Sequence, residues 1–308
     1  MTTPADYILH HYDTSPYSEK VRLLFGLKGL AWRSVIQPTI MPKPDLTPLT
    51  GGYRRIPVLQ IGADVFCDTQ VILAEIERRS PSARPDAPLA SAINFWADRL
   101  FFGVTVPIIF GEIGDTVPKA FIEDREKLSE RAFDVQAMKA AAGPMQQQWK
   151  THAGWIERSL AERGTAFLGG ETADLSDIAA YMNVWFLCTF TPAIGDKLLT
   201  GLNNVQAWRG RVAAIGHGAR SELTPAEALA AARDSQPQAT VAHDPDDPLG
   251  LAPGASVKVM ADDYGREPIT GSLVAANRDR VVISRQDPAL GSLQLHFPRV
   301  GFVVASNP

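Results

Sequence analysis

Tyr7-Ile-Leu-His-His-Tyr12 runs through Asp13-Thr-Ser-Pro16 into Tyr17-Ser-Glu-Lys-Val-Arg22. The first six residues are apolar and aromatic, as in a short strand. Asp13 to Pro16 has turn chemistry, and Asp13 or Thr14 is placed to cap a helix that starts there. Val21, Leu24, Phe25 and Leu27 then recur at helical spacing, and the helix closes near Gly29. A strand that delivers the chain straight into a helix start aims free backbone N–H groups and the positive helix end at whatever lies beside Ser15. Such a turn suits an anion.

Outward from that turn, Trp32 to Ile36 is a second strand, and Pro38, Pro42, Pro44 and Pro48 mark irregular chain. Val58 to Ile61 and Ala63 to Phe66 flank Gly62 as a hairpin, and Thr69 to Arg79 is a helix ended by Ser80-Pro81. Residues 1–81 thus form one α/β unit. Residues 82–87 are polar and contain proline, a linker composition. Helical periodicity dominates 88–235, with helices expected near 88–110, 118–141, 144–163, 175–190, 203–215 and 225–234. Pro144 after Gly143 suits the first turn of a new helix. Residues 236–250 form a second Pro- and Asp-rich linker. In 251–308, short β-rich runs at Val257, Ser272, Val281, Leu293 and Phe302 suggest a small barrel or curled sheet.

Composition narrows the function. The net charge of −4 argues against a nucleic-acid partner. The tail from 240 carries six Lys/Arg against eight Asp/Glu, which disfavours an oligonucleotide-binding barrel. No apolar run is expected to reach the roughly 18 residues of a membrane span, and Met1 to Asp6 lacks the pattern of a signal peptide. Cys67 and Cys188 are the two cysteines, in no metal-ligand spacing. A reduced, cytoplasmic chain is the expectation. His10 and His11 are adjacent on a strand and point to opposite faces, so they do not chelate together, and no metal site is expected.

Ser15-Pro-Tyr-Ser-Glu-Lys-Val-Arg22 resembles the opening motif of serine-type glutathione transferases. Tyr53-Arg-Arg-Ile-Pro-Val-Leu59 is similar to that family's strand entry with a cis proline. Cys67-Asp-Thr-Gln-Val-Ile72 matches the site where most members have an acidic residue and serine. Phe167-Leu-Gly-Gly, Asp174-Leu-Ser-Asp-Ile178 and Val205-Gln-Ala-Trp208 match motifs of the helical domain. The resemblance covers about residues 6–220. It implies a thioredoxin-like domain (1–81), an all-helical domain (88–235) and, as an addition, a small β-barrel-like domain (251–308). It also implies a homodimer, with glutathione and a small hydrophobic electrophile as ligands and no metal.

On that resemblance Ser15 stabilises the glutathione thiolate. A thiol has a pKa of about 8.5, and a hydroxyl donating to its anion contributes about 1.5–3 kcal/mol, one to two pKa units. Ser15 also reads as a simple helix cap. Ser18 and Tyr17 are nearby substitutes, and Tyr12 a more distant one. In a cis Ile56-Pro57 turn, Ile56 offers its backbone N–H and C=O to an extended peptide, here the cysteinyl unit. Asp68 suits the γ-glutamyl ammonium and Thr69 its carboxylate, although helix capping also explains the pair. Lys43, Arg54 and Arg55 are candidates for the glycyl carboxylate, with solvated charge as the alternative for at least one arginine. Asp174 and Asp177 form a capping box. Trp96, Phe101, Phe102 and Phe110 either line an acceptor pocket or pack the core. Phe121 to Leu160 also resembles aryl-ether-cleaving relatives. The other functional class is a non-catalytic binding protein that works through its C-terminal β domain.

Overall fold

The computed structural model describes residues 7–84, 86–238 and 240–307. Met1 to Asp6, where a signal peptide would begin, and Pro85 and Ala239 of the two linkers lie outside the described residues. The chain opens with β1 (Ile8–His11), α1 (Pro16–Leu27), β2 (Ala31–Ile36), a single turn α2 (Thr47–Thr50), β3 (Val58–Ile61), β4 (Asp64–Cys67) and α3 (Thr69–Arg79). β1 runs parallel to β2 and antiparallel to β3, and β3 turns into β4 around Gly62. This is the thioredoxin-type arrangement.

The helical part holds α4 (Ala90–Trp96), a π turn (Ala97–Phe101), α5 (Phe102–Ile113), a 3-10 turn (Gly114–Thr116), α6 (Lys119–Ser129), α7 (Val135–Arg163), α8 (Leu175–Phe190), α9 (Pro192–Leu199) and α10 (Asn203–Ala213). Ala90–Thr116 is long and apolar enough by length and composition to cross a membrane. Asp98 and Arg99 interrupt its apolar run, and here it packs against α7 and α8. Pro144 does not start a helix as expected; it sits inside α7. The break comes earlier, where Glu130 turns left-handed at φ 55 and Asp134 caps α7 by accepting the Ala137 N–H at 2.9 Å. A proline removes one helical hydrogen bond, but packing of α7 along α5 carries the helix through it.

Asp174 and Asp177 form the expected capping box of α8. Asp177 does more than cap. It accepts the Leu168 N–H at 2.7 Å, the Gly169 N–H at 3.0 Å and the Trp208 indole N–H at 2.7 Å, tying α10 to α8.

Two later segments rejoin the first sheet. After α10, Gly218 adopts φ +69, and a Cβ there would lie 2.4 Å from the Leu30 carbonyl oxygen. That close approach lets β5 (Ala219–Glu222) pair in parallel with β2. α11 (Pro225–Arg233) then sets Ala228 against Ile8 and Val35.

β6 (Ser256–Ala261), β7 (Ile269–Ala276), β8 (Arg280–Asp287), β9 (Gly291–Pro298) and β10 (Phe302–Ser306) cover the five expected β runs. They form an antiparallel sheet in the order β10-β6-β7-β8-β9. The barrel alternative does not close, because β9 pairs in parallel with β4 (Asp64↔Gln294 to Phe66↔His296) rather than with β10. An edge strand carries a row of open N–H and C=O groups, and β9 satisfies those of β4. Nor is the tail's core its own: Val257, Ile269, Leu293 and Phe297 pack in one cluster with Leu46, Leu49, Val58 and Val65. His296 stacks on Phe66 at 4.3 Å and bonds the buried Asp64 at 3.1 Å across the junction.

Asp177→Ala strips several buried N–H donors of one acceptor. A loss of at least about 3 kcal/mol of stability is expected, measured by urea unfolding.

Candidate functional site

Ser15 is the N-cap of α1, with its oxygen accepting the Ser18 N–H at 3.2 Å. Burial raises the pKa of the neighbouring Tyr12 hydroxyl, against the opposing pull of Arg125. Both side chains open onto a cavity of about 550 Å³. Helix capping and a place in the cavity wall therefore coexist at Ser15.

The rest of that cavity is mostly apolar, built by Phe102 and Phe110 of α5, Phe121 of α6, Phe133, and Phe186 and Phe190 of α8. Phe110 packs on Phe121 at 5.9 Å and edge-on against Phe133 at 5.0 Å. The expected quartet divides: Phe102 and Phe110 line the cavity. Trp96 and Phe101 instead stack on each other at 5.2 Å, with Phe101 set against the buried Trp149.

Lys43, Arg54, Arg55, Arg125 and Arg131 also line this cavity, and no carboxylate does among the described residues. Arg54 is ion-paired with Asp124, which Arg125 also meets at 2.8 Å. Lys43 is 3% exposed, and its side chain makes no hydrogen bond or ion pair among the described residues. Burial holds its ammonium down at about 8.

The other expected ligands gather elsewhere. Asp68 caps α3, its Oδ1 accepting the Gln70 N–H at 2.9 Å, and Thr69 is buried beside it. With Pro57, Asp98 and Arg99 they surround a space of only about 40 Å³, little more than one water molecule. Ile56–Pro57 is cis, as expected. Ile56, Arg55 and Tyr17 line both spaces. The residues named from the sequence thus line two chambers with a shared wall.

That wall holds residues the sequence reading missed. The loop of residues 262–268, between β6 and β7, brings Asp263 and Tyr264 against the first domain. Asp263 is ion-paired with Arg55 and lies 2.8 Å from Arg99. Tyr264 lines both chambers, with the Arg55 guanidinium 3.9 Å from its ring centre. Tyr17, which also lines both chambers, donates its hydroxyl to the Asp98 carbonyl at 2.9 Å. A separation of 208 residues between Arg55 and Asp263 explains why no local pattern announced the contact.

Asp98 was likewise unforeseen. The fully buried Lys20 donates to both its oxygens, at 2.7 and 2.9 Å, and to Asn94 at 2.8 Å. Burial pushes the Asp98 carboxyl up to about 6, with Lys20 opposing. His10 bonds Gln60 at 2.8 Å and His11 bonds Ser34 at 3.0 Å. Burial lowers their pKa values to about 4 and about 3, so both are neutral at pH 7. Among the described residues no group of three His, Cys, Asp or Glu is placed to hold a metal ion.

Residues 9–84 match the family model described as glutathione S-transferase, N-terminal domain. A crystal structure of a GST-like protein from Pseudomonas syringae is 32% identical, covering 98% of this chain and 100% of that one, with a TM-score of 0.81. This chain belongs to the glutathione S-transferase family. Glutathione S-transferase U9 of Arabidopsis thaliana is 26% identical over 129 residues. That match spans 40% of this chain and about half, 53%, of the plant protein. A Tau class glutathione S-transferase from mango, 18% identical, shares the fold with a TM-score of 0.53 over 69% of this chain and 90% of its own. Within this member of the family, the Lys20–Asp98 pair braces α1 against the helical domain.

Lys20→Met leaves Asp98 buried without its partner, and a loss of about 3–5 kcal/mol is expected. Adding Asp98→Leu removes the stranded charge and should recover much of that loss. Denaturant unfolding of the two variants checks it.

Proposed function

We propose that this chain binds glutathione across the wall between the two chambers and transfers its thiolate to an apolar electrophile in the larger one. The observation that carries this reading is Ser15. Its hydroxyl sits at the start of α1 and opens onto a 550 Å³ cavity walled by aromatic rings. A sulfur beside it would receive an O–H hydrogen bond together with the positive end of the helix, both of which favour the thiolate. The larger chamber matches the size of small-molecule sites, roughly 300–1,000 Å³. Its aromatic walls suit an aryl electrophile, including an activated aryl ether.

The remaining roles come from the chemistry of each side chain. Ile56 offers its backbone to the cysteinyl unit, Asp68 takes the γ-glutamyl ammonium and Thr69 the γ-glutamyl carboxylate. Lys43, a cation without a side-chain partner among the described residues, takes the glycyl carboxylate. Arg55 is already engaged by Asp263, so it serves the glutathione only after that pair opens. The engaged Arg55 and the small chamber favour a second reading, a transferase-fold protein that binds partners without catalysis.

Ser15→Ala should raise the pKa of bound glutathione by about one to two units and lower turnover of an aryl halide about 10- to 100-fold. Absorbance of the bound thiolate and a conjugation assay measure both. If Tyr12→Phe produces those losses and Ser15→Ala does not, the phenol is the activating group. Absence of glutathione binding by calorimetry overturns the enzyme reading.

A second test concerns Lys43. Because its ammonium deprotonates from about pH 8 upward, only the charged form below that attracts a carboxylate. Affinity for S-methylglutathione, whose sulfur does not ionise, should weaken as pH rises through that range. Lys43→Met should bind more weakly, without that pH dependence.

A further inference from the structure

We infer that the loop 262–268 is a resident occupant of the glutathione cleft, which must leave when the tripeptide enters. The inference rests on the proposed glutathione binding and concerns the regulation of the same site.

Three contacts seat the loop. Asp263 places its carboxylate between Arg55 and Arg99, the cations nearest the Asp68–Thr69 end. Tyr264 lies on Arg55 and, with Tyr17, forms part of the wall between the chamber of Ser15 and that of Asp68. Gly265 donates its N–H to the Leu128 carbonyl of α6 at 2.6 Å, so the loop bridges to the helical domain. A Cβ on Gly265 would lie 2.9 Å from the Leu128 side chain, and its φ is +56. That left-handed backbone favours glycine.

The loop carries the chemistry it would displace: a carboxylate for the arginines and a peptide N–H for an acceptor. With it in place the Asp68–Thr69 chamber has about 40 Å³, against about 550 Å³ for the chamber across the wall. Its ionic contacts differ in burial, Arg55–Asp263 being mostly buried and Arg99–Asp262 not, so a ligand carboxylate must replace the first. The Arg99–Asp262 pair, 2.7 Å apart, is partly solvated on both sides, and such rim pairs hold weakly. The strands β6 and β7 at its base are paired and stay.

The test titrates glutathione by calorimetry into the full-length wild type and the Asp263→Ala/Tyr264→Ala variant. Amide exchange at Gly265 is followed in the wild type with and without saturating glutathione. The variant is expected to bind about tenfold tighter or more, as when a minor open state becomes the main one. The Gly265 amide should lose protection when glutathione binds. Equal affinities, or a Gly265 amide still protected at saturation, overturn the loop's role and leave the glutathione reading standing. Binding by neither protein overturns both. If the variant does not fold, the exchange measurement on the wild type decides alone.

Discussion

The pairing of β9 with β4 is the constraint on which the arrangement of this molecule turns. Three register pairs, from Asp64↔Gln294 to Phe66↔His296, join a C-terminal sheet to the edge of the thioredoxin-type sheet. Because β4 leads directly into Asp68 and α3, whatever is fixed to β4 is fixed relative to the Asp68–Thr69 end of the cleft. β9 in turn fixes β8, β7 and β6 by antiparallel pairing, and so aims the β6–β7 loop at Arg55. The buried Asp64–His296 contact and the shared core between the two sheets hold this geometry without a flexible joint.

The cleft is correspondingly rich in charges that compensate one another. Lys20 answers Asp98, Asp263 answers Arg55 and Arg99, and Asp124 answers Arg54 and Arg125. Buried charges are tolerated where each has a partner. Lys43 departs from that pattern and faces the aromatic chamber. The site thus has one half whose charges are paired, next to the protein's own loop, and another where Lys43 has no side-chain partner among the described residues beside an apolar space.

What the sequence made legible was local. The β1–α1 turn with Ser15, the cis Ile56–Pro57, the Asp68 cap, the Asp174–Asp177 box and the five C-terminal β runs each depend on a few adjacent residues, and all were readable. Pro144 misled because its local preference for a helix start lost to packing along α5. β5 was invisible because Ala219 to Glu222 is fully exposed and polar, and owes its conformation to the edge of β2. Asp263 and Tyr264 escaped for the same reason at longer range. Nothing in Asp-Asp-Tyr-Gly says which distant arginine it will meet.

Both free edges of the first sheet are covered by chain that lies far downstream: β2 by β5 and β4 by β9. His296 lies 232 residues beyond Asp64. At synthesis rates of roughly 5–20 residues per second, the β4 edge of a nascent chain stays bare for roughly 10–50 s after it is made. During that interval the first domain has its hairpin and α1 but exposes a strand that other chains can extend. The architecture that aims the β6–β7 loop at the cleft therefore makes the molecule's birth slow to close, and a ribosome-bound intermediate is the form most open to mispairing.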